Sequence, residues 1–206
     1  QIIGAVNTLV RVEGGYKGYN TDLPGLYRAI LSEGMEVKGS RVIIVGAGPT
    51  GIYSAYELIL KAPHLKVLLV DKGRDIYTRN CPMLKGLIKQ CPQNPSGETG
   101  CLPACAMTAG FGGSGAYSDG KFNITSEFGG WMTNYLPKET VLDLIKYVDG
   151  INLKHGAPTE ITDPYTPEVM AIEKQGIAAG LKLLRSQVRH LGTEINLKVL
   201  ANIYEE

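Results

Sequence analysis

The chain has 206 residues, 44% of them hydrophobic and 20% charged, with 26 glycines, which is enough for one medium domain or a little more and for a real hydrophobic core. Twenty-one Lys and Arg against 20 Asp and Glu leave a formal charge of +1, so no global field favours nucleic acid or an anionic membrane. No apolar run approaches the ~18 residues of a membrane helix and the first residues lack a signal-peptide pattern. The expected protein is soluble and cytoplasmic, with a small-molecule substrate, no nucleic-acid or membrane partner, and an oligomeric state left open.

The β-branched run from Gln1 to Val12 fits one or two short strands around a turn at Asn7. Glu13, Gly14 and Gly15 form a turn, and residues 15–22 a second strand or loop end. Leu23, Leu26, Tyr27, Ile30 and Leu31 follow at helical spacing, with Gly34 as the stop. Lys38-Gly39-Ser40 is the expected boundary between a segment 1–40 and a domain 41–206. The apolar runs 41–45 and 66–71 have the composition of buried parallel strands. With a helix from Ile52 to Lys61 between them they make a βαβ unit. Residues 72–137 show little periodicity. Further helices are expected at 138–154, 167–184 and from 193 onward. The fold class is therefore α/β, a Rossmann-type dinucleotide-binding domain with additional helices, expected to be incomplete.

Gly46, Gly48 and Gly51 fit G-x-G-x-x-G, directly after a strand, at the opening of a helix and twenty residues before Asp71. Gly46 permits the tight turn, Gly48 removes the Cβ that would block a pyrophosphate, and Gly51 lets helix and strand pack closely. The helix N-terminus around Pro49 and Thr50 offers its positive end to the phosphates. Asp71 is placed to accept from the ribose hydroxyls of the adenosine half, with Lys72 beside it. The fingerprint alone does not separate NAD(P) from FAD.

A second glycine cluster, Gly112, Gly113, Ser114 and Gly115, can form an anion-binding nest, lie against a planar ring, or be merely a structural loop. Ser118, Asp119 and Lys121 add polar side chains. Cys81, Cys91, Cys101 and Cys105 fall within 25 residues but contain no C-x-x-C pair, so no metal site is expected. They read as reduced thiols, with Cys101 and Cys105 the first choice for any redox pair. His64, His155 and His190 are scattered; Arg189 and the Gly192-Thr193 turn give His190 surroundings suited to an anion, against a scaffold role. Trp131 fits either the core or a place beside a cofactor. No motif places a catalytic residue.

From about residue 42 onward, VIIVGAGPTG, LKVLLVDKGRDI, GFGGSGAYSDGKFNIT, EFGGWM and VRHLGTE resemble a family of bacterial FAD-dependent dehydrogenases. That resemblance implies a glutathione-reductase-like FAD domain, with Gly46, Gly48, Gly51 and Asp71 on the ADP half, the Gly112–Ser118 loop towards the flavin, and Pro49 in the form flavoproteins carry. The expectation drawn from it is a flavin-dependent oxidoreductase, or its FAD-binding part, with NAD(P) as donor or acceptor.

Residues 2 to about 45 resemble shikimate dehydrogenase through IGAVNTLVR, GYNTD and KGSRVIIVGAG. This implies that Asn7 and Asp22 bind substrate hydroxyls, the Asp working beside a Lys of an upstream motif. It makes an NADP-dependent shikimate dehydrogenase-like oxidoreductase the alternative, with a catalytically silent nucleotide-binding fragment beside it. GAGPTG and the strand-terminal Asp71 depart from that family's NADP loop and are expected to disfavour a 2′-phosphate.

Overall fold

The computed structural model describes residues 8–13, 15–19 and 41–206, save 96 and 103. Asn7, Asp22, the helix expected after Asp22 and the boundary at 38–40 lie outside these residues. The chain divides into two compact units, Gln1–Tyr117 with Ile203–Glu206, and Ser118–Asn202.

The first unit is built on a four-stranded sheet of order β2-β1-β3-β4, from β1 (Thr8–Val12), β2 (Gly15–Tyr19), β3 (Arg41–Val45) and β4 (Lys66–Val70). β1 runs antiparallel to β2 and to β3, whereas β3 and β4 are parallel in even register from Arg41↔Lys66 to Val45↔Val70. The crossover joining the parallel pair is α1 (Pro49–Lys61), with proline at its start, where a missing N–H costs nothing. Ala55, Leu58 and Ala62 lie one helical turn apart and pack on Val42, Ile44 and Leu65, with Val67 and Leu69 at the margin. Leu58 is wholly buried, worth about 1.5–3 kcal/mol. This is the expected βαβ unit, and the fold is α/β and Rossmann-like.

The strands depart from expectation in one respect. Their sequence reads as buried on both faces, yet Val45, Leu68 and Val70 are exposed, Leu68 by 56%. α1 covers only the face that carries Val42 and Ile44.

The second unit holds β5 (Lys121–Ile124) and β6 (Gln187–His190), paired antiparallel with Phe122 opposite Arg189. It also holds α2 (Lys138–Lys154), α3 (Pro167–Ala178) and most of α4 (Gly192–Glu205). Neither strand is evident from the sequence, because each is four residues long and its partner is more than sixty residues away. α3 ends at Ala178, six residues short of expectation. Gly180 takes φ +75°, and the N–H groups of Gly180 and Leu181 turn back to Ile177 and Gly176, which satisfies the last carbonyls and stops the helix. Trp131 is neither core nor packed on a site: it is 82% exposed.

Arg189 ties this unit together. Its guanidinium donates to both Asp149 oxygens, at 2.6 and 2.7 Å, and to the Pro158 and Glu160 carbonyls. Both side chains are buried, so the cation expected to make the surroundings of His190 anion-binding is already neutralised, and His190 itself is exposed. Asp149→Ala leaves a buried guanidinium without its counter-ion and should cost roughly 3–5 kcal/mol. Urea denaturation checks this, and an unchanged midpoint would contradict the role given to the pair.

Candidate functional site

The site is assembled in the first unit where β3 and β4 end. Gly46 leaves β3 at φ +101°, donates its N–H to Val70 O at 2.7 Å, and turns the chain into α1. A Cβ on Gly51 would lie 1.9 Å from Gly46 O, so only glycine lets the helix approach this closely. A Cβ on Gly48 would meet nothing within 4 Å. The three glycines thus divide into a turn, an open cradle and a close contact, as the fingerprint requires. Gly48 caps α1 without a side chain and the first turn of the helix holds no acid.

Asp71 follows β4. Its Oδ2 accepts from Ala47 N (2.9 Å) and its Oδ1 from Gly73 N and Gly110 N (both 2.7 Å). Three segments, the fingerprint turn, the loop after β4 and the second glycine cluster, therefore meet at one carboxylate. Partial burial pushes this carboxyl up, but the N–H bonds from Ala47, Gly73 and Gly110, with the Arg79 charge, outweigh it and hold its pKa below the usual value. The position expected to read a ribose thus spends three of about four lone-pair positions on backbone.

The second cluster packs against the first. Gly112 N donates to Ala47 O (2.8 Å) and Gly113 N to Gly110 O (2.8 Å), while a Cβ on Gly113 would stand 3.2 Å from Gly48 Cα. These two amides face protein, and Gly113–Tyr117 continues as a 3-10 turn carrying Ser114 and Gly115. Ser118, in the other unit, accepts from Gly120 N through Oγ, and Asp119 pairs with Lys121 at 2.7 Å.

Residues outside the expected cofactor-binding set complete the assembly. Gly73 and Gly110 cross so closely that a Cβ on either would come within 2.2 Å of the other loop's backbone. Buried Arg79 donates to the carbonyls of Ala106, Met107, Phe111 and Gly113, and the Tyr117 hydroxyl donates to the Arg79 carbonyl. Fixed-length loops crossing a β-strand end leave no periodic trace, so only the glycines themselves could have signalled this crossing. Beside it opens a cavity of about 430 Å³, mainly apolar, lined by Ile52, Tyr56, Leu69 and Tyr204, with Asp71 and Arg74 among its polar groups.

His155 is buried with Nδ1 on the Ile151 carbonyl and His64 is exposed. The cysteines are free thiols. No group of three or more His, Cys, Asp or Glu among the described residues could hold a metal, and no helix there is long and apolar enough to cross a membrane.

The chain is 43% identical over 87 residues to shikimate dehydrogenase (NADP(+)) of Methanosarcina mazei, covering 39% of this chain and 31% of that protein. It is 37% identical over 76 residues to the enzyme of the same name from Carboxydothermus hydrogenoformans, covering 36% and 27%. A quinate/shikimate dehydrogenase of Escherichia coli matches at 44% over 48 residues, 23% of this chain and 17% of that protein. The chain spans less than a third of the length of these relatives. No family profile matches it, and no solved structure does. These relatives correct the flavin reading: they point to an NADP-dependent oxidoreductase and not to a flavin-dependent one. Nothing supports FAD as the cofactor.

A carboxyl with a lowered folded pKa contributes stability above its unfolded value, near 4, and loses it as pH falls through the lower folded value. Asp71→Asn should cost about 1–3 kcal/mol at neutral pH, because the amide replaces one acceptor oxygen by an NH2 that faces a backbone N–H and removes the charge from the other. It should also flatten the acid limb below about pH 4. Denaturation midpoints across that range test this, and an acid limb as steep as the parent's would contradict it.

Proposed function

We propose that this chain carries the dinucleotide-binding part of an NADP-dependent oxidoreductase of the shikimate dehydrogenase kind. The observation that carries the reading is the open Cβ direction at Gly48, beside a Gly51 that only glycine can occupy: a cradle for phosphate held by a close-packed turn. The names and partial identity of the relatives supply the chemical class.

In this reading Gly46, Gly48, Pro49, Thr50 and Gly51 hold the pyrophosphate against the N-terminus of α1, with the Gly112–Gly115 backbone alongside. The cavity floored by Leu69 and walled by Ile52 and Tyr56 takes the adenosine half. Asp71, turned to the backbone, shapes that end of the cavity and keeps its remaining acceptor position for the ribose. Lys72 and Arg74, both exposed, provide positive charge for a 2′-phosphate. The cofactor would supply hydride chemistry; the chain would supply its position and the field around its phosphates. Residues 1–40 are the substrate-side segment, where Asn7 and Asp22 would bind hydroxyls of a polyhydroxylated acid, and 41–206 carry the dinucleotide.

Titration calorimetry with NADP and with NAD tests the binding half. Gly48→Val, whose side chain enters open space, should leave the fold intact and weaken dinucleotide binding at least ~10-fold, about 1.4 kcal/mol. Arg74→Ala should weaken NADP more than NAD, by ~3- to 10-fold for one exposed phosphate contact. Shikimate-dependent reduction of NADP tests the chemistry. A folded chain that binds neither nicotinamide dinucleotide, or takes up FAD in their place, would overturn the proposal.

A further inference from the structure

The cysteine-rich stretch contains a tight antiparallel hairpin whose register bears on the thiols. Gln93 bridges Thr99, Asn94 N donates to Glu98 O, and Gly100 N donates to Pro92 O, each bond 2.8 Å. At the tip, Gly97 N returns to Asn94 O, and Asn94 Oδ1 accepts from Glu98 N. The bonded pairs are thus 94 with 98 and 92 with 100, on either side of a non-bonded pair, 93 with 99. Extending the same register one step beyond the 92–100 pair sets Cys91 opposite Cys101, at what would be the next non-bonded position. Such positions hold their Cα atoms ~4.5 Å apart, within the ~4.4–6.8 Å that a disulfide spans. Both cysteines are partly exposed and carry free thiols. Cys91 Sγ rests on Met83 Sδ at 3.3 Å, a weak contact that a χ1 rotation towards the partner strand would release.

The geometry points to Cys91 and Cys101 as a reversible dithiol–disulfide pair that closes the base of the 92–100 hairpin. The Cys101–Cys105 pairing suggested by sequence proximity has no such register behind it. The oxidant is a low-molecular-weight disulfide. One cysteine thiolate attacks it, forming a mixed disulfide and releasing one small thiolate. The second cysteine thiolate attacks the protein sulfur of that mixed disulfide and releases the other. The protein gives up two protons and two electrons, and the small disulfide becomes two thiols. The link would bear on the segment immediately following, because Ala106 and Met107 hold the Arg79 guanidinium through their carbonyls. Closing the hairpin removes freedom from the chain that leads into those contacts.

The test uses the full chain, incubated with oxidised glutathione under native conditions, then alkylated and digested. Trypsin leaves residues 90–121 as one peptide, and cleavage after Glu98 separates Cys91 from the other two cysteines in it. The expected product loses about 2 Da, stays joined after the Glu98 cut and carries alkylated Cys105. C105S should keep the link, whereas C91S and C101S should each abolish it. The native link should become a mixture when exchange is run in urea. In the oxidised protein, proteolysis within the hairpin should slow several-fold. A link from Cys105 to either neighbour, or a folded chain that keeps all four thiols alkylatable, would overturn the assignment. Dinucleotide binding is a separate readout, so failure here leaves the proposed function standing, and the reverse holds as well.

Discussion

The Asp71 carboxylate is the constraint on which the first unit depends. It stands where β4 ends and accepts N–H groups from Ala47, Gly73 and Gly110, residues of three separate segments. None of the three amides has a helix or strand partner, and burying one without an acceptor costs about 1–3 kcal/mol. A charged acceptor is stronger than a neutral carbonyl and can serve several donors at once. The acid that ends the second strand therefore has a structural task before it has any ligand, and the position of the fingerprint turn follows from it.

Arg79 performs the complementary task with the opposite polarity. Its donors fan out to the carbonyls of Ala106, Met107, Phe111 and Gly113, so one buried cation organises the acceptors of the same loop whose Gly110 donor Asp71 holds. Burial lowers the Arg79 pKa, and Tyr117 and Asp71 act the other way. Acid and base are linked through the loop backbone and make no direct ion pair. Between them the loops cross at Gly73 and Gly110, where no side chain fits. A long segment with little regular structure can be well ordered when its polar backbone groups are satisfied in this way.

The elements legible in the sequence were those with a local cause. β3, α1 and β4 follow from an apolar run, a glycine turn, helical spacing and a second apolar run, and they lie where that pattern puts them. Gly46 makes the turn and Gly51 the close helix–strand contact that their spacing implies, and the Cβ direction of Gly48 is open. What was not legible depends on partners distant in the chain. β5 and β6 stabilise one another across more than sixty residues, and Arg189, which reads as a cation suited to an anion beside His190, is buried against Asp149 on α2. The exposure of Leu68 and Val70 was likewise hidden, since an apolar strand reports its composition but not how many faces are covered. The resemblance to flavoproteins failed for another reason: glycine-rich loops look alike whether they face a ring or a neighbouring turn.

That distinction decides what the glycine excess means. At Gly48 the missing side chain leaves open space, whereas at Gly51, Gly73 and Gly110 backbone already occupies the place a Cβ would take. Only the first kind makes room for something the chain does not itself supply. Gly113 lies between the two cases, since a Cβ there would press on Gly48 Cα at 3.2 Å and tilt the very turn that forms the cradle. Substitution at Gly48 therefore removes the cradle from within, while substitution at Gly113 displaces it from behind. A loop that reads as a second ligand surface acts first as the wall that fixes the position of the first.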